Sequence, residues 1–358
     1  MVDAVADGRR RVTIADIAAR AGVSKAAVSY ALNGVPGVSP AVRQQILDIA
    51  AELRFRPNRI AQDLRAGTAK VIGILLDNIE NPVYTEIAGA AVSAAAERGY
   101  EVFVSHLGTA SDRKTEVALS HVDRNISGLI LTSVTVEDIP LLASLRERGV
   151  ACVQAYRGLT EVPNDWVGID DRAAARELAA QVLAGGRRSV AILSGVRESV
   201  VARNRVAGFR EALAERGIEP VNPDDVWGPL TREAGVTRAR DVLDRHPGTD
   251  LLLCASDVIA VGAWDHAREA GLSVPGDLAI TGFDGTGIAS AGPLQLSTVN
   301  APRRVMGECA ATMLIDRIEG ADGPPIRRML PYEIVLRDST GEGGAPAARP
   351  ARAGRAAT

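Results

Sequence analysis

From Val71 onward the chain alternates short apolar runs with amphipathic helical stretches: VIGILL, a helical pattern from about Pro82 to Arg98, YEVFVS, a second helical pattern near residues 112–124, then GLILT. Uninterrupted runs of this kind suit strands buried on both faces. Strands separated by helices run parallel, because each helix carries the chain back to the starting edge of its sheet. After ACVQA and DWVGID the alternation restarts with SVAILS, a helix across Ala202–Arg216, a helix from Thr231, DLLLCAS, a helix from Asp257 and LAITGF. Two such units make two doubly wound lobes, and the natural ligand site is the cleft between them, at the carboxyl ends of their strands.

Residues just past those strand ends are therefore the candidates for the cleft. Asp77, Asn78, Asn81 and Tyr84 follow the first strand, Asp170 follows VGI, Ser256 and Asp257 follow LLLCA, and Phe283 and Asp284 follow AITG. Arg205 enters near the start of its own helix. An Arg among carboxylates and amides gives directional bonds to hydroxyls or to a base edge, with Tyr84, Trp227 and Phe283 as apolar walls. Considered singly, each of these residues serves equally well as a helix cap or a structural ion-pair partner, and Asp257 is well placed to cap the helix that follows it.

The first 65 residues have a different character. They hold ten Lys/Arg against six Asp/Glu, whereas the rest of the 358-residue chain holds 31 against 38, so a formal net charge of −3 conceals a basic head on an acidic body. A basic head is the electrostatic minimum for holding nucleic acid. Its sequence TIADIAARAGVSKAAVSYALNG reads as two short helices. Thr13 caps the first with Asp16 completing a capping box, Gly22 ends it, Ser24 caps a second helix from Lys25 to about Leu32, and Asn33-Gly34 stops that one. Ser39-Pro40 starts a third helix, whose Val42, Ile46, Ile49, Ala50 and Leu53 cover the first two. This is a helix-turn-helix domain, although a plain helical bundle shares the same core pattern.

A recognition helix reads bases with its N-terminal residues, which here are Lys25, Ala26 and Ser29, with Tyr30 one turn along. Lys25 donates to guanine, the Ala26 methyl meets thymine, and Tyr30 donates or accepts. Thr13, Arg20, Ser24, Asn33, Asn58 and Arg59 are the candidates for phosphate contacts, which position the domain without reading sequence. Past Pro57, the stretch NRIAQDLRAG has Ile60, Ala61 and Leu64 on one side and arginines nearby. Eight residues are too few for a stable isolated helix. The segment reads either as a linker with one buried leucine or as a minor-groove wedge in which Leu64 enters a kinked base step.

Taken together, TIADIAARAGVSKAAVSYALNG, VSPAVRQQI, RPNRIAQDLRAG, NIENPVYTEIAGAAVSAAAERGY, SVVARNRVAGFREAL, LLLCASDVIAVGAW and AITGFDGTGIA resemble the LacI/GalR family of transcriptional regulators. The family has a helix-turn-helix head, a hinge helix and a periplasmic-binding-protein-like core. By that resemblance Leu64 is the hinge leucine that intercalates at the operator centre. Arg205 and Asp257 become the foremost ligand contacts, followed by Asn78, Tyr84 and Phe283, then Asp170 and a pocket-wall Trp227. Tyr30 departs from the family, standing where many members carry Arg.

The resemblance implies an N-terminal all-α helix-turn-helix domain joined to an α/β core of two doubly wound lobes. The expected limits are an arm over 1–11, the head over 12–57, the hinge helix and linker over 58–70, the core over 71–340 and a Gly/Ala/Pro/Arg-rich disordered tail over 341–358. Within the core, lobe one is expected at about 71–162 plus 291–323, and lobe two at 163–290 plus 324–340. The expected activity is that of a repressor binding pseudo-palindromic double-stranded operator DNA as a homodimer. It answers to a small sugar or sugar derivative, with a purine or nucleoside corepressor as the alternative.

Other classes fit less well. A solute-binding protein would carry a signal peptide and no basic head. A metabolic enzyme would show a chemical signature, yet the three lysines (Lys25, Lys70, Lys114) lie in no Walker loop, GFDGTG lacks the third glycine of a dinucleotide fingerprint, and the four histidines have no metal-ligand spacing. The expectation is therefore no catalysis, no cofactor and no metal. No run approaches the roughly 18 apolar residues of a membrane span, and Cys152, Cys254 and Cys309 sit in apolar settings that suit reduced thiols in the cytoplasm.

Overall fold

In the computed structural model, which describes residues 12–32, 34–53, 55, 70–108, 113–159 and 161–341, the chain separates into two compact units, Met1–Ala69 and Lys70–Thr358. The arm, the hinge segment with Asn58, Arg59 and Leu64, the single residue Asn33 and the tail beyond Gly341 lie outside the described residues.

In the first unit the punctuation of the sequence becomes a set of caps. Asp16 N–H donates to Thr13 Oγ1 at 3.4 Å while Thr13 N–H donates to the Asp16 carboxylate at 2.8 Å, closing the capping box of α1 (Ile14–Ala21). Gly22 ends that helix at φ 67°. Ser24 Oγ accepts from Ala27 N–H at 3.1 Å and opens α2 (Lys25–Leu32); Ser39 does the same for α3 (Pro40–Glu52) by accepting from Val42 N–H. Each helix contributes one fully buried branched residue, Ile17, Val28 and Ile46, and the space between is filled by Ala18, Ala21, Ala31 and Ala50. The small residues let the three helices approach closely, so a core of this size can exclude water.

The second unit holds two parallel sheets. The first comprises β1 (Val71–Leu76), β2 (Glu101–His106), β3 (Gly128–Ser133), β4 (Ala151–Arg157), β5 (Asp165–Gly168) and β10 (Arg327–Met329), in the order β10-β5-β4-β3-β1-β2. Along β1 the period of two is explicit: Ile72, Ile74 and Leu76 join the core under α4 (Pro82–Glu97) and α11 (Arg303–Ile318), while Val71 and Leu75 join the one under α5 (Lys114–Asp123) and α6 (Ile139–Glu147). The second sheet has β6 (Val190–Leu193), β7 (Leu251–Cys254) and β8 (Ala279–Thr281) in that order. Leu178 of α7 (Asp171–Leu183) and Phe209 of α8 (Val200–Ala214) cover one face, and Val242 of α9 (Arg232–Arg245) and Ile259 of α10 (Asp257–Glu269) cover the other. Helix α8 starts two residues before the expected Ala202 because Ser199 caps it, accepting from Ala202 N–H at 3.3 Å.

The chain passes between the lobes three times. It crosses after β5 into α7, returns between β9 (Thr298–Asn300) and α11, and crosses again between β10 and β11 (Glu333–Val335), which pairs antiparallel with β9. Strand β9 also lies beside the end of the second sheet through the bridges Thr281–Ser297 and Asp284–Asn300. The lobe limits expected at 163, 291 and 324 are each displaced by a strand, because β5 and β10 pair with each other in the first sheet (Trp166 with Arg327, Gly168 with Met329) and β9 stays with the second lobe. An apolar run shows that a strand exists but not which sheet takes it. Here the tie is a fork from Arg317, which donates to both Asp165 oxygens at 2.8 and 3.0 Å, while Ile326 N–H donates to the same carboxylate at 2.6 Å.

Helix pairs in both lobes meet at backbone distance. A Cβ on Gly307 would lie 2.2 Å from Ile87 O, and one on Gly262 would lie 2.0 Å from Arg232 O. Among the described residues no helix is long and apolar enough to cross a membrane. We predict that Gly262→Ala forces α9 and α10 apart and destabilises the second lobe by about 1–3 kcal/mol, the usual cost of overpacking. Urea denaturation would measure this, and an unchanged midpoint would show that the helices separate freely.

Candidate functional site

On the head, the inward side of α2 is Val28 and Ala31, which leaves Lys25, Ala26 and Tyr30 exposed and Ser29 half-buried. Tyr30 is 44% exposed, and its ring lies on the backbone of Gly37, where a Cβ would come within 2.9 Å of it. The Tyr30 ring thus packs on the Gly37 backbone at the exposed face of α2. Of the candidate phosphate contacts, the Thr13 and Ser24 oxygens already cap their helices. Arg20 pairs with Glu52 at 2.9 Å, an exposed ion pair of the weak class that a phosphate can replace.

In the second unit the polar centre is Arg205, 2% exposed. Its Nε donates to Asp171 Oδ1 at 2.8 Å, its Nη1 to Asp284 Oδ1 at 2.9 Å and to Ala255 O at 2.8 Å, and its Nη2 to the Tyr156 hydroxyl at 3.1 Å. The plane of the guanidinium stacks on Phe283, with Cζ 3.7 Å from the ring centroid. Burial works against the charge, but Tyr156, Asp284 and Asp171 outweigh it and hold the Arg205 pKa well above its ordinary value. Asp284 sits at φ 110° in the turn after β8, and the Tyr156 hydroxyl donates to its Oδ1 at 2.8 Å.

Facing this cluster from the first lobe are Tyr84 at the start of α4 and Arg157 at the end of β4. Tyr84 meets Tyr156 edge to face at 5.9 Å, Arg157 lies 5.7 Å from the Tyr84 ring centroid, and its Nη1 stands 3.6 Å from Asp77. The Tyr84 hydroxyl and Arg157 Nε are buried and find no hydrogen-bond partner among the described residues. Arg303 of α11 adds a backbone tie across the cleft, donating to Gly285 O at 2.8 Å and to Asp284 O, while its Nε pairs with Glu86 of α4 at 2.8 Å.

The structure brings together Arg205, Phe283, Asp284 and Tyr84 from the sequence candidates and adds Tyr156, Arg157 and Asp171. Asp170 is displaced by one position: its Oδ1 caps α7 by accepting from Ala173 N–H at 3.0 Å, so the next residue, Asp171, meets Arg205. Asn78 closes a turn by accepting from Glu80 N–H at 2.8 Å, and Trp227 is half-buried against the large core. Asp284 was already a strand-end candidate. Tyr156 lies one residue past ACVQA, so the rule that found the others applied to it as well.

Asp257 is not part of this cluster. Ser256, not Asp257, caps α10, accepting from Val258 N–H at 3.1 Å. The fully buried Asp257 carboxyl accepts from Thr286 N–H at 2.7 Å and from the Thr286 and Thr298 hydroxyls at 2.8 Å each. It pins the start of α10 to β9. Burial, and then the charge of Asp284, raise its pKa to about 7 against those three bonds. The folded chain keeps a proton that the unfolded chain has released, so stability is fully present below about pH 4 and falls as pH rises towards 7. In urea titrations at stepped pH, wild type should lose about 3–4 kcal/mol relative to Asp257→Asn over that window; parallel curves would place the carboxyl's titration elsewhere.

Comparison with known proteins joins the two units. Residues 13–58 match bacterial regulatory proteins of the lacI family, and residues 179–340 match the periplasmic binding protein-like domain. The HTH-type transcriptional regulator CelR of Thermobifida fusca is 31% identical over 92% of this chain and 99% of its own length. Among solved structures, a transcriptional regulator CelR-cellobiose complex aligns with TM-score 0.70 and 29% identity over 92% of this chain and 100% of that one. The lac repressor dimer bound to operator and the anti-inducer ONPF aligns with TM-score 0.78 and 25% identity over 92% of this chain and 99% of that one. Similarity that runs through head and lobes alike, end to end in the relative, makes this chain a DNA-binding transcriptional regulator that belongs to the lacI family.

Proposed function

We propose that the chain is a cytoplasmic repressor that grips a pseudo-palindromic operator as a homodimer, and that a small sugar or sugar derivative in the cleft sets its grip. The observation that carries the reading is the buried Arg205, fixed by Asp171 and Asp284 on its own lobe and reached by Tyr156 from the other. A guanidinium beside carboxylates offers paired donors and acceptors to vicinal hydroxyls. The aromatic faces favour a polyol over a purine, since Phe283 is covered by Arg205 and Tyr84 is turned edge to face against Tyr156.

For the dimer, one recognition helix reads one half-site, so a two-fold operator takes two copies. The edge strand β2 leaves Phe103 and Val104 43% and 44% exposed, apolar surface of the kind an edge keeps only when it is covered. The lac repressor structure is a dimer on its operator, and the CelR structure holds cellobiose. Ligand binding changes the angle between lobes, and the response reaches the operator through the segment that carries Leu64. A coupling of about 1–3 kcal/mol changes operator affinity about 5- to 150-fold.

Selection of bound duplexes from a random pool at near-physiological salt should return a two-fold site with an easily kinked centre; an unstructured result would remove the operator reading. On the selected duplex, Arg205→Lys keeps the charge but not the fork. It should abolish sugar-dependent changes in binding, and an intact sugar response would take Arg205 out of the effector site. Leu64→Ala should weaken the selected duplex about tenfold or more and leave non-specific DNA nearly unchanged. Equal losses on both would rule out the wedge.

A further inference from the structure

We propose that Tyr156 is a built-in occupant of the cleft, a phenol that ties the two lobes together through Arg205 and Asp284 and that the effector must displace. The proposal rests on reading the cleft as the effector site and adds how that site is held when no effector is in it.

The backbone is unusual at this residue. Strands β3 and β4 pair Leu131 with Gln154 and then Ser133 with Arg157, so β4 carries one extra residue, a bulge. Within it Tyr156 adopts φ 69°, the left-handed region that a bulky side chain occupies only when its surroundings hold it there. What holds it is the opposite lobe. Its hydroxyl donates to Asp284 Oδ1 at 2.8 Å and accepts from Arg205 Nη2 at 3.1 Å, and the residue is 3% exposed.

A hydroxyl that donates to a carboxylate and accepts from a guanidinium is bonded as a sugar hydroxyl would be. A polyol seeking Arg205 Nη2 and Asp284 Oδ1 therefore competes with Tyr156 for those two atoms. The cleft also holds a reason for displacement to succeed: the buried Tyr84 hydroxyl and Arg157 Nε have no partner among the described residues while Tyr156 is seated beside them. An entering ligand can satisfy both, and unsatisfied buried groups favour whatever satisfies them. The Arg303 tie to Asp284 O and Gly285 O uses backbone acceptors and does not depend on the phenol.

The test uses the full chain, Tyr156→Phe, which keeps the ring and removes the hydroxyl, and Tyr156→Gly, which is at ease at positive φ and leaves a space shaped like the lost side chain. With p-cresol as probe, the melting temperature of Tyr156→Gly should rise with concentration while that of wild type stays flat. Without any ligand, small-angle scattering should show a larger radius of gyration for Tyr156→Phe than for wild type. Absence of both effects overturns the occupant. If Tyr156→Gly fails to fold, the scattering of Tyr156→Phe decides alone. Sugars screened for operator release separate this idea from the reading beneath it. A sugar that acts on both proteins with its midpoint about tenfold lower in Tyr156→Phe supports the occupant, and equal midpoints overturn it while leaving the effector site in place. Lobe opening in Tyr156→Phe with no sugar active on either protein supports the occupant and removes the sugar reading.

Discussion

A guanidinium buried from solvent has to be answered by its neighbours, and the second unit is arranged around answering Arg205. Asp171, Asp284, the carbonyl of Ala255 and the hydroxyl of Tyr156 come from four separate segments, and all must be in place before the charge is tolerable. That requirement fixes the start of α7, the end of β7 and the turn after β8 relative to α8. It also draws in the end of β4 from the other lobe. The carboxylates and guanidinium that keep one another's charges tolerable are the groups a ligand in the proposed effector site would meet, so integrity and recognition would share atoms. A ligand that exchanges bonds with this cluster cannot avoid altering how the lobes are joined.

The fold was legible where burial on both faces leaves its mark on a strand: VIGILL and LLLC are apolar throughout, and the structure buries them throughout. The caps of the head were legible because Thr13, Ser24 and Ser39 satisfy local donors within three residues, a matter that no distant part of the chain can override. Sheet membership was not. Strands β5 and β10 belong to the first sheet because Arg317 grips Asp165, a contact spanning some 150 positions of chain that leaves no local trace.

The cleft was half legible for the same reason. Arg205 lies near the start of its helix and is ranked foremost by the family resemblance, but its partners came from a choice among several acidic residues at strand ends, and local pattern alone cannot rank them. Asp170 and Asp171 are neighbours; the first spends its oxygen on a cap and the second is left to face Arg205. Asp257 and Asp284 both follow strands of the second sheet, yet threonines surround one and the arginine meets the other. Such assignments depend on which side chain arrives from elsewhere, and only the assembled structure contains that information.

Three strand-to-lobe connections, rather than one or two, have a mechanical meaning. A single tether would leave the lobes as beads on a string, and a pair would act as a door hinge still free to shear along its pin. With crossings after β5, before α11 and between β10 and β11, the third connection removes the shear. What remains is close to a single rotation, so any event in the cleft, whatever its chemistry, can be expressed only as more or less of one motion.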